Sequence, residues 1–192
     1  MRVLIVDESE ERAAVLREGL VMAGHEVAAS LASPLELLRA VEDLQPDVIV
    51  IDTESPTRDV LEHVVIVSQS SPRPIVMFAT DRGGETIREA VRAGVSAYVV
   101  DGLDAARVKP IVEVACARFE EFQRLKTELA EANLKLSERK LVERAKGLLM
   151  RSRGLSEEDA YQALRKLAMS KKLRLGDVAQ RVLETAELLG KS

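Results

Sequence analysis

The sequence predicts an α/β domain built on a five-stranded parallel sheet, followed by an all-helical C-terminal part. Two observations predict the sheet and its end. Short aliphatic runs alternate with amphipathic stretches five times within residues 1–108, and such a (βα)5 pattern forms a doubly wound, flavodoxin-like sheet. Beyond it, no glycine interrupts residues 105–137, which indicates one long helix. The remaining residues, 137–192, indicate a three-helix bundle.

The strands and helices of the first domain follow from hydrophobic periodicity. Two of the strands are unbroken aliphatic runs, as expected for parallel strands buried on both faces. Two of the helices end in glycine, which supplies a left-handed cap. The predicted strands are Val3–Val6, Glu26–Ser30, Val48–Ile51, Ile75–Phe78 and Ala97–Val100, and the predicted helices lie near Glu11–Gly24, Pro34–Leu44, Val60–Ser68 and Gly84–Gly94.

The second region, residues 109–136, is an extended helical linker with a short heptad pattern. Apolar residues recur at spacings of three and four with charged residues around them. Packing of this helix on its own domain is one interpretation. The first domain needs only the first few turns of this helix to close its fold, so the apolar stripe of the remaining turns must be buried elsewhere. We therefore prefer a parallel homodimer seam. The seam residues are Phe122, Leu125, Leu129, Ala132 and Leu136.

Caps divide the third region into helices. The first helix runs from about Ser137 to Met150. Ser156 is a ready N-cap for the second, with acidic residues in its first turn, and the second ends near Ser170. The third opens at Asp177 or just before it. Their apolar residues predict the bundle core, and that set is Ala145, Leu148, Leu149, Ala160, Ala163, Leu164, Leu167, Ala168, Val178 and Val182.

Composition excludes several classes of protein. The single Cys116 excludes an internal disulfide and favours a reducing compartment. No apolar run approaches the roughly 18 residues that span a bilayer, and the chain enters a strand directly rather than through a signal peptide. We therefore expect a cytoplasmic protein without a membrane partner.

Charge is distributed unevenly along the chain. Residues 139–181 carry 12 Lys or Arg and 5 Asp or Glu, whereas the remainder carries 16 basic and 27 acidic residues. A basic module fused to an acidic one is typical of a nucleic-acid-binding module under an acidic controller. An ordinary solvated helical bundle would show the same balance, so charge alone leaves both interpretations open.

Acidic residues end two of the predicted strands. Asp7 and Glu8 end the first strand and Asp52 ends the third. Over its full length this region resembles a response-regulator receiver. The resemblance implies that the acidic pair holds a divalent cation beside Asp52, which takes a phosphoryl group. Carboxylates at adjacent strand ends suit Mg²⁺, so Mg²⁺ is a possible ligand of Asp7, Glu8 and Asp52, bound weakly at most. Acids on exposed loop tips are the plainer alternative.

The receiver pattern is broken at two positions. A receiver has Ser or Thr at the end of the fourth strand, where this chain has Ala79, with Thr80 one residue late. A receiver has Lys after the fifth strand, where Asp101 stands here. Replacing that cation by an anion makes the electrostatic energy of a phosphoryl group at Asp52 less favourable by several kcal/mol, at an effective dielectric constant of about 20. We therefore predict a degenerate receiver that works as a protein-binding and dimerising scaffold. Tyr98 matches the aromatic switch position of receivers.

The third region carries the motifs that indicate function. Ala145-Lys-Gly-Leu-Leu-Met150, Ala160-Tyr161, Leu164-Arg165, Ala168-Met169 and Val178-Ala179 occur in the order and spacing of the ANTAR family, which this region resembles. The resemblance implies binding of paired RNA hairpins in leader mRNA, which prevents formation of an overlapping terminator. No covalent chemistry and no cofactor are required, and the protein is not expected to be an enzyme.

RNA hairpin loops expose phosphates and splayed bases, so their recognition needs cations and a stacking platform. Tyr161 is the only aromatic residue of this region and is the stacking candidate, although a place in the core is an equal alternative. The candidate RNA-binding cations are Lys140, Arg144, Lys146, Arg151, Arg165, Lys166, Lys171, Lys172 and Arg174.

Other functions remain open. The alternatives are a DNA-binding response regulator, a phosphorylation-activated ANTAR regulator of another pathway, and a pure adaptor. A metal-dependent phosphohydrolase has no second catalytic motif to support it. The altered receiver, the Tyr98-Val-Val-Asp-Gly102 junction and the long helix look most like NasT-type regulators. That resemblance implies control of nitrate and nitrite assimilation genes, with an inhibitory ligand-sensor protein as partner.

Overall fold

The protein consists of two compact units, Met1–Gln123 and Arg124–Ser192. They are seen in a computed structural model that describes residues 1–100, 105–188 and 190. The first unit contains a five-stranded sheet in the order β2-β1-β3-β4-β5 with all neighbours parallel. The predicted fold class is confirmed. The strands are β1 (Arg2–Asp7), β2 (Glu26–Leu31), β3 (Val48–Thr53), β4 (Ile75–Ala79) and β5 (Ala97–Val100).

Helices alternate with the strands in the first unit and form the second. The predicted N-cap Ser156 is confirmed, because its hydroxyl accepts a hydrogen bond from the Asp159 amide. No helix in the part of the chain that the structure describes is long and apolar enough to cross a bilayer. The helices are α1 (Glu10–Met22), α2 (Leu37–Leu44) after a short 3-10 turn (Pro34–Glu36), α3 (Arg58–Ser70), α4 (Gly84–Ala93), α5 (Ala105–Arg153), α6 (Glu157–Lys171) and α7 (Leu175–Leu188).

The sheet is doubly wound because its strands bury apolar side chains on both faces. One face packs against α1 and the first turns of α5, and the other packs against α2, α3 and α4. All five residues of β4 are buried, as the unbroken aliphatic run predicts. The direction of winding reverses between β1 and β3, so the carboxyl ends of these two strands meet at the usual ligand-binding edge of such a sheet.

Glycine caps close two helices as predicted. Gly94 follows α4 with a φ of 115°, and Gly24 lies just after α1 with a φ of 82°. A Cβ on Gly94 would lie 2.7 Å from Cβ of Ser68. The position therefore excludes larger residues on two grounds, backbone conformation and space.

The helix boundary expected near Ser137 is absent. α5 runs without a break from Ala105 to Arg153, because neither proline nor glycine interrupts the chain between Pro110 and Gly147. The domain boundary that we place at residue 137 therefore does not coincide with the end of a helix.

The second unit buries an aliphatic core between α5, α6 and α7. Its buried members include Ala145, Leu164 and Val178. Two residues that we expected in this core are exposed, Ala163 and Leu167. They lie to one side of the buried α6 stripe, and they line an open cleft of about 700 Å³ instead of the interior.

Candidate functional site

Two carboxylates meet where β1 and β3 end. Asp7 and Asp52 are register partners in adjacent parallel strands. Asp7 is 3% exposed, and the side chain of Asp52 is 12% exposed. Burying two like charges side by side is costly without a compensating cation.

That cation comes from the first turn of α1. Ser9 caps this helix by accepting a hydrogen bond from the Arg12 amide, and the Arg12 side chain reaches the strand ends. Nη2 of Arg12 donates to Oδ1 of Asp7 at 3.0 Å, and Nε of Arg12 lies 3.3 Å from Oδ2 of Asp52. The sequence interpretation missed Arg12, because an arginine in an amphipathic helix reads as a solvated side chain.

The electrostatics of the pocket follow from this arrangement. Burial, and next the charge of Asp7, raise the pKa of Asp52 to about 6, although Arg12 acts in the opposite direction. Burial works against the charge of Arg12, but the carboxylates of Asp7 and Asp52 outweigh it and raise the Arg12 pKa. The pocket therefore holds a proton on Asp52 more readily than an ordinary aspartate would.

The metal site expected from sequence is not assembled in this pocket. Glu8 is exposed, and no group of three or more potential metal ligands occurs among the described residues. Arg12 contacts both of the remaining carboxylates. The residues present therefore do not fit a bound Mg²⁺ well.

The second unit carries an exposed basic surface. On α5, Lys140, Arg144 and Arg151 share a side that faces away from the buried Val142 and Ala145. The basic surface continues on α6 and around the turn to α7. All of these cations are exposed, and none forms an ion pair with another residue of the described ranges. Its members are Lys140, Arg144, Arg151, Arg165, Lys166, Lys171, Lys172 and Arg174.

Lys146 does not belong to this surface. It is only 8% exposed, and its ammonium donates to Glu143 at 3.0 Å and to Glu157 at 2.7 Å. These hydrogen bonds, first with Glu157 and then with Glu143, raise the Lys146 pKa. The ammonium ties α5 to the start of α6, so we withdraw Lys146 from the RNA-contact set and give it a structural role.

Tyr161 lies on α6 outside the aliphatic core. It is 37% exposed, whereas Ala160 and Leu164 on the neighbouring face are buried. Of the two alternatives that the sequence left open, this placement favours an accessible ring. The next turn of α6 presents Arg165 and Met169 on the same side.

Comparison with known proteins decides the family. Residues 130–183 match the ANTAR domain, and residues 3–113 match the response regulator receiver domain. Transcriptional regulatory protein PdtaR of Mycobacterium tuberculosis is 32% identical over 184 residues, which is 96% of this chain and 90% of that protein. The chain belongs to the ANTAR-domain response regulators.

Other relatives of this ANTAR response regulator match parts of it. The Nitrate regulatory protein of Klebsiella oxytoca is 40% identical over 80 residues, 42% of this chain and 20% of that protein. The receiver domain of a modulated diguanylate cyclase from Desulfovibrio desulfuricans G20 superposes with a TM-score of 0.55 at 25% identity, covering 62% of this chain and 95% of that one. The response regulator domain of Thermotoga maritima CheB (TM-score 0.53, 24% identity, 62% and 96% coverage) shows the same fold.

At the switch positions of this ANTAR receiver, the two hydroxyl groups donate to backbone carbonyls of neighbouring loops. Ala79 ends β4 and is buried. The hydroxyl of Thr80 donates to the Glu54 carbonyl at 2.8 Å, and that of Tyr98 donates to the Asp81 carbonyl at 3.0 Å. The Thr80 hydroxyl is thus already engaged away from Asp52. Asp101 lies outside the described residues.

Asp52→Asn should stabilise the receiver near neutral pH. The pKa of about 6 in the fold exceeds the ordinary value, so charged Asp52 opposes folding above pH 6 and ceases to do so below about pH 4. We expect a gain of about 2 kcal/mol at pH 7.5 that shrinks toward zero near pH 4. Urea unfolding followed by Tyr98 fluorescence in a Tyr161→Phe background measures it, since the chain has two tyrosines and no tryptophan.

Glu18→Gln is the matched control, because Glu18 is an exposed carboxylate on α1. Its substitution should change the urea midpoint little at either pH. A loss of stability on Asp52→Asn at pH 7.5 would contradict the account of the pocket.

Proposed function

We propose that this protein is an RNA-binding transcription antiterminator that grips paired hairpins in leader mRNA through the basic surface of its ANTAR bundle. The observation that carries the proposal is a set of exposed cations that pair with no acidic side chain within residues 1–100, 105–188 and 190, together with the accessible ring of Tyr161. Cations without partners in their own unit are available to phosphates. A stacking platform beside them suits the splayed bases of a loop.

Binding alone would be sufficient for the regulatory effect. A hairpin held by the protein cannot join an overlapping terminator stem, so polymerase continues into the operon. Two of the relatives, one matching most of this chain and one matching 42% of it, are named as regulatory proteins. We propose that it acts without covalent chemistry and, because its target is nascent mRNA, in the cytoplasm.

A glycine in the middle of the α5 basic stripe supports a close approach by the RNA backbone. Gly147 lies between Arg144 and Arg151, and a Cβ there would meet only Nη1 of Arg151, at 3.5 Å. Glycine inside a helix costs roughly 0.5–1 kcal/mol relative to alanine, and no packing contact requires it here. A second protein copy at this point would face cations with cations, so a polyanion is the better occupant.

The exposed seam of α5 supports a homodimer. Leu125, Leu129 and Leu136 are each at least 50% exposed. Successive helical residues are about 100° apart, so these three share one side of α5. The bundle residues Ala145 and Leu149 lie roughly opposite, which leaves the seam free for a second copy. We propose a parallel dimer that presents two ANTAR bundles to two hairpins, with Phe122 and Ala132 extending its seam.

Control of this activity is proposed to come from a partner protein rather than from phosphate. Arg12 engages the phosphoacceptor-like Asp52, and Thr80 donates to a loop carbonyl. We propose that an inhibitory ligand-sensor protein binds the receiver and holds the antiterminator inactive. The similarity to a nitrate regulatory protein supports nitrate and nitrite assimilation genes as the target.

Salt dependence of hairpin binding tests the RNA surface. Arg144→Ala and Arg165→Ala should each lower the slope of log K against log salt by roughly 0.7–1, as expected for one lost phosphate contact. Lys146→Ala should leave the slope unchanged and lower the melting temperature of the second unit, because it removes an internal tie. Filter binding of a leader hairpin over a range of KCl concentrations, with thermal unfolding in parallel, measures both.

The three possible failures of this experiment differ. A wild-type protein that ignores hairpins at low salt would overturn the function. Wild-type binding with an unchanged slope in both arginine variants would place the surface elsewhere. A slope change in Lys146→Ala without loss of stability would restore Lys146 to the contact set.

Gly147→Ala should separate stability from RNA binding. The added methyl group favours the helix by about 0.5–1 kcal/mol, but it stands where the RNA backbone is proposed to approach. We expect a higher melting temperature together with weaker hairpin affinity. Gly84→Ala is the matched control, since a Cβ there also meets only an arginine tip, Nη2 of Arg88 at 3.6 Å. Equal RNA affinity in the two variants would refute the close approach.

A further inference from the structure

The acidic pocket of the receiver already contains a positive charge, and that charge belongs to the chain itself. Arg12 contacts Asp7 at 3.0 Å and Asp52 at 3.3 Å, and the charge of Glu54 also acts on it. No sequence motif marks Arg12, and neither the ANTAR fold nor the proposed RNA surface depends on it.

We propose that Arg12 takes the place of the divalent cation in this receiver, so that a side chain of the chain itself offsets part of the carboxylate charge and excludes Mg²⁺. The inference concerns the receiver alone and stands whether or not the second unit binds RNA. It assigns Arg12 as a positioning residue that ties α1 to the carboxyl ends of β1 and β3.

The geometry favours the guanidinium over a metal ion. Mg²⁺ requires several oxygen ligands in near-octahedral geometry. Oδ1 of Asp7 already accepts from Nη2 of Arg12 and from the Ser9 amide at 2.8 Å, and Oδ2 of Asp52 faces Nε of Arg12. A metal ion that used these two oxygens would first have to displace the guanidinium from them.

Two buried atoms of the pocket, Oδ2 of Asp7 and Nε of Arg12, form no hydrogen bond with any residue of the described ranges, so the guanidinium satisfies the pocket only in part. A buried carboxylate oxygen without a donor is costly, and a metal ion is the kind of ligand that would satisfy it. Arg12 therefore holds a site that retains the chemistry to attract Mg²⁺ once the guanidinium is removed.

Removal of the Arg12 charge should create a Mg²⁺ site. Arg12→Gln and Arg12→Met each remove the charge, and methionine retains most of the aliphatic stem. Both variants should melt below the wild type in EDTA. Each should recover several degrees in about 10 mM MgCl₂ at constant ionic strength, whereas the wild-type melting temperature should not change. Isothermal titration of the full chain with MgCl₂ should show binding in the low-millimolar range or tighter in the variants only.

Two controls isolate the pocket. Arg17→Gln removes an exposed cation from the same helix and should create no Mg²⁺ response. Combining Asp7→Asn with Arg12→Gln removes a ligand and should abolish the recovery. Should both Arg12 variants be unfolded without metal, refolding on addition of MgCl₂ becomes the readout.

Two results would overturn the proposal. The first is wild-type protein that binds Mg²⁺ as tightly as the Arg12 variants, which would mean that Arg12 does not exclude the ion. The second is the absence of any Mg²⁺ response in both Arg12 variants, folded or unfolded, which would mean that the pocket lacks a latent cation site.

Discussion

Basic side chains in this protein fall into two groups according to whether an acidic side chain of the same unit pairs with them. Arg12 pairs with the buried Asp7 and with Asp52, and Lys146 pairs with Glu143 and Glu157. In both places an unpaired charge under partial burial would be costly. The Arg12 pairs hold the start of α1 to β1 and β3, and the Lys146 pair with Glu157 holds the start of α6 to α5. The cations of the basic surface have no such partner among the residues that the structure describes, and that leaves them available to a polyanion.

The same distinction between paired and unpaired cations separates the roles of the two units. In the first, the carboxylates of Asp7 and Asp52 meet at the switch point of the sheet, and the guanidinium of Arg12 offsets part of their charge. Burial, and next the charge of Asp7, raise the pKa of Asp52 in this pocket to about 6. In the second, helix packing is satisfied by aliphatic residues and one ion-paired lysine. Arg12 of the receiver is therefore ion-paired, whereas the cations of the basic surface on the ANTAR bundle are exposed to solvent.

Sequence was sufficient for features that depend on local chemistry. Hydrophobic periodicity predicted all five strands to within one or two residues, because burial on both faces of a parallel sheet leaves unbroken aliphatic runs such as Ile75–Phe78. The Ser156 cap and the Gly94 turn followed from residue type alone. The motifs of the last third indicated the ANTAR family, which the comparisons confirm.

Features that depend on contacts distant in sequence were not predictable. In the sequence, Lys146 and Arg12 look the same as solvated cations. Only the fold shows that Glu157 lies beside Lys146 and that Asp52 lies beside Arg12. The pattern also misplaced Leu167, because a helix stripe does not show where the neighbouring helices end. For the same reason a helix boundary at Ser137 was expected where α5 continues.

The central claim is that the unphosphorylated protein recognises folded RNA through its unpaired cations. Competition between a leader hairpin and duplex DNA of equal phosphate number, with purified protein free of any partner and without phosphoryl donor, tests it most directly. The account predicts that the hairpin displaces the duplex at physiological salt and that the duplex does not displace the hairpin. Preference for the duplex, or equal affinity for both, would contradict it.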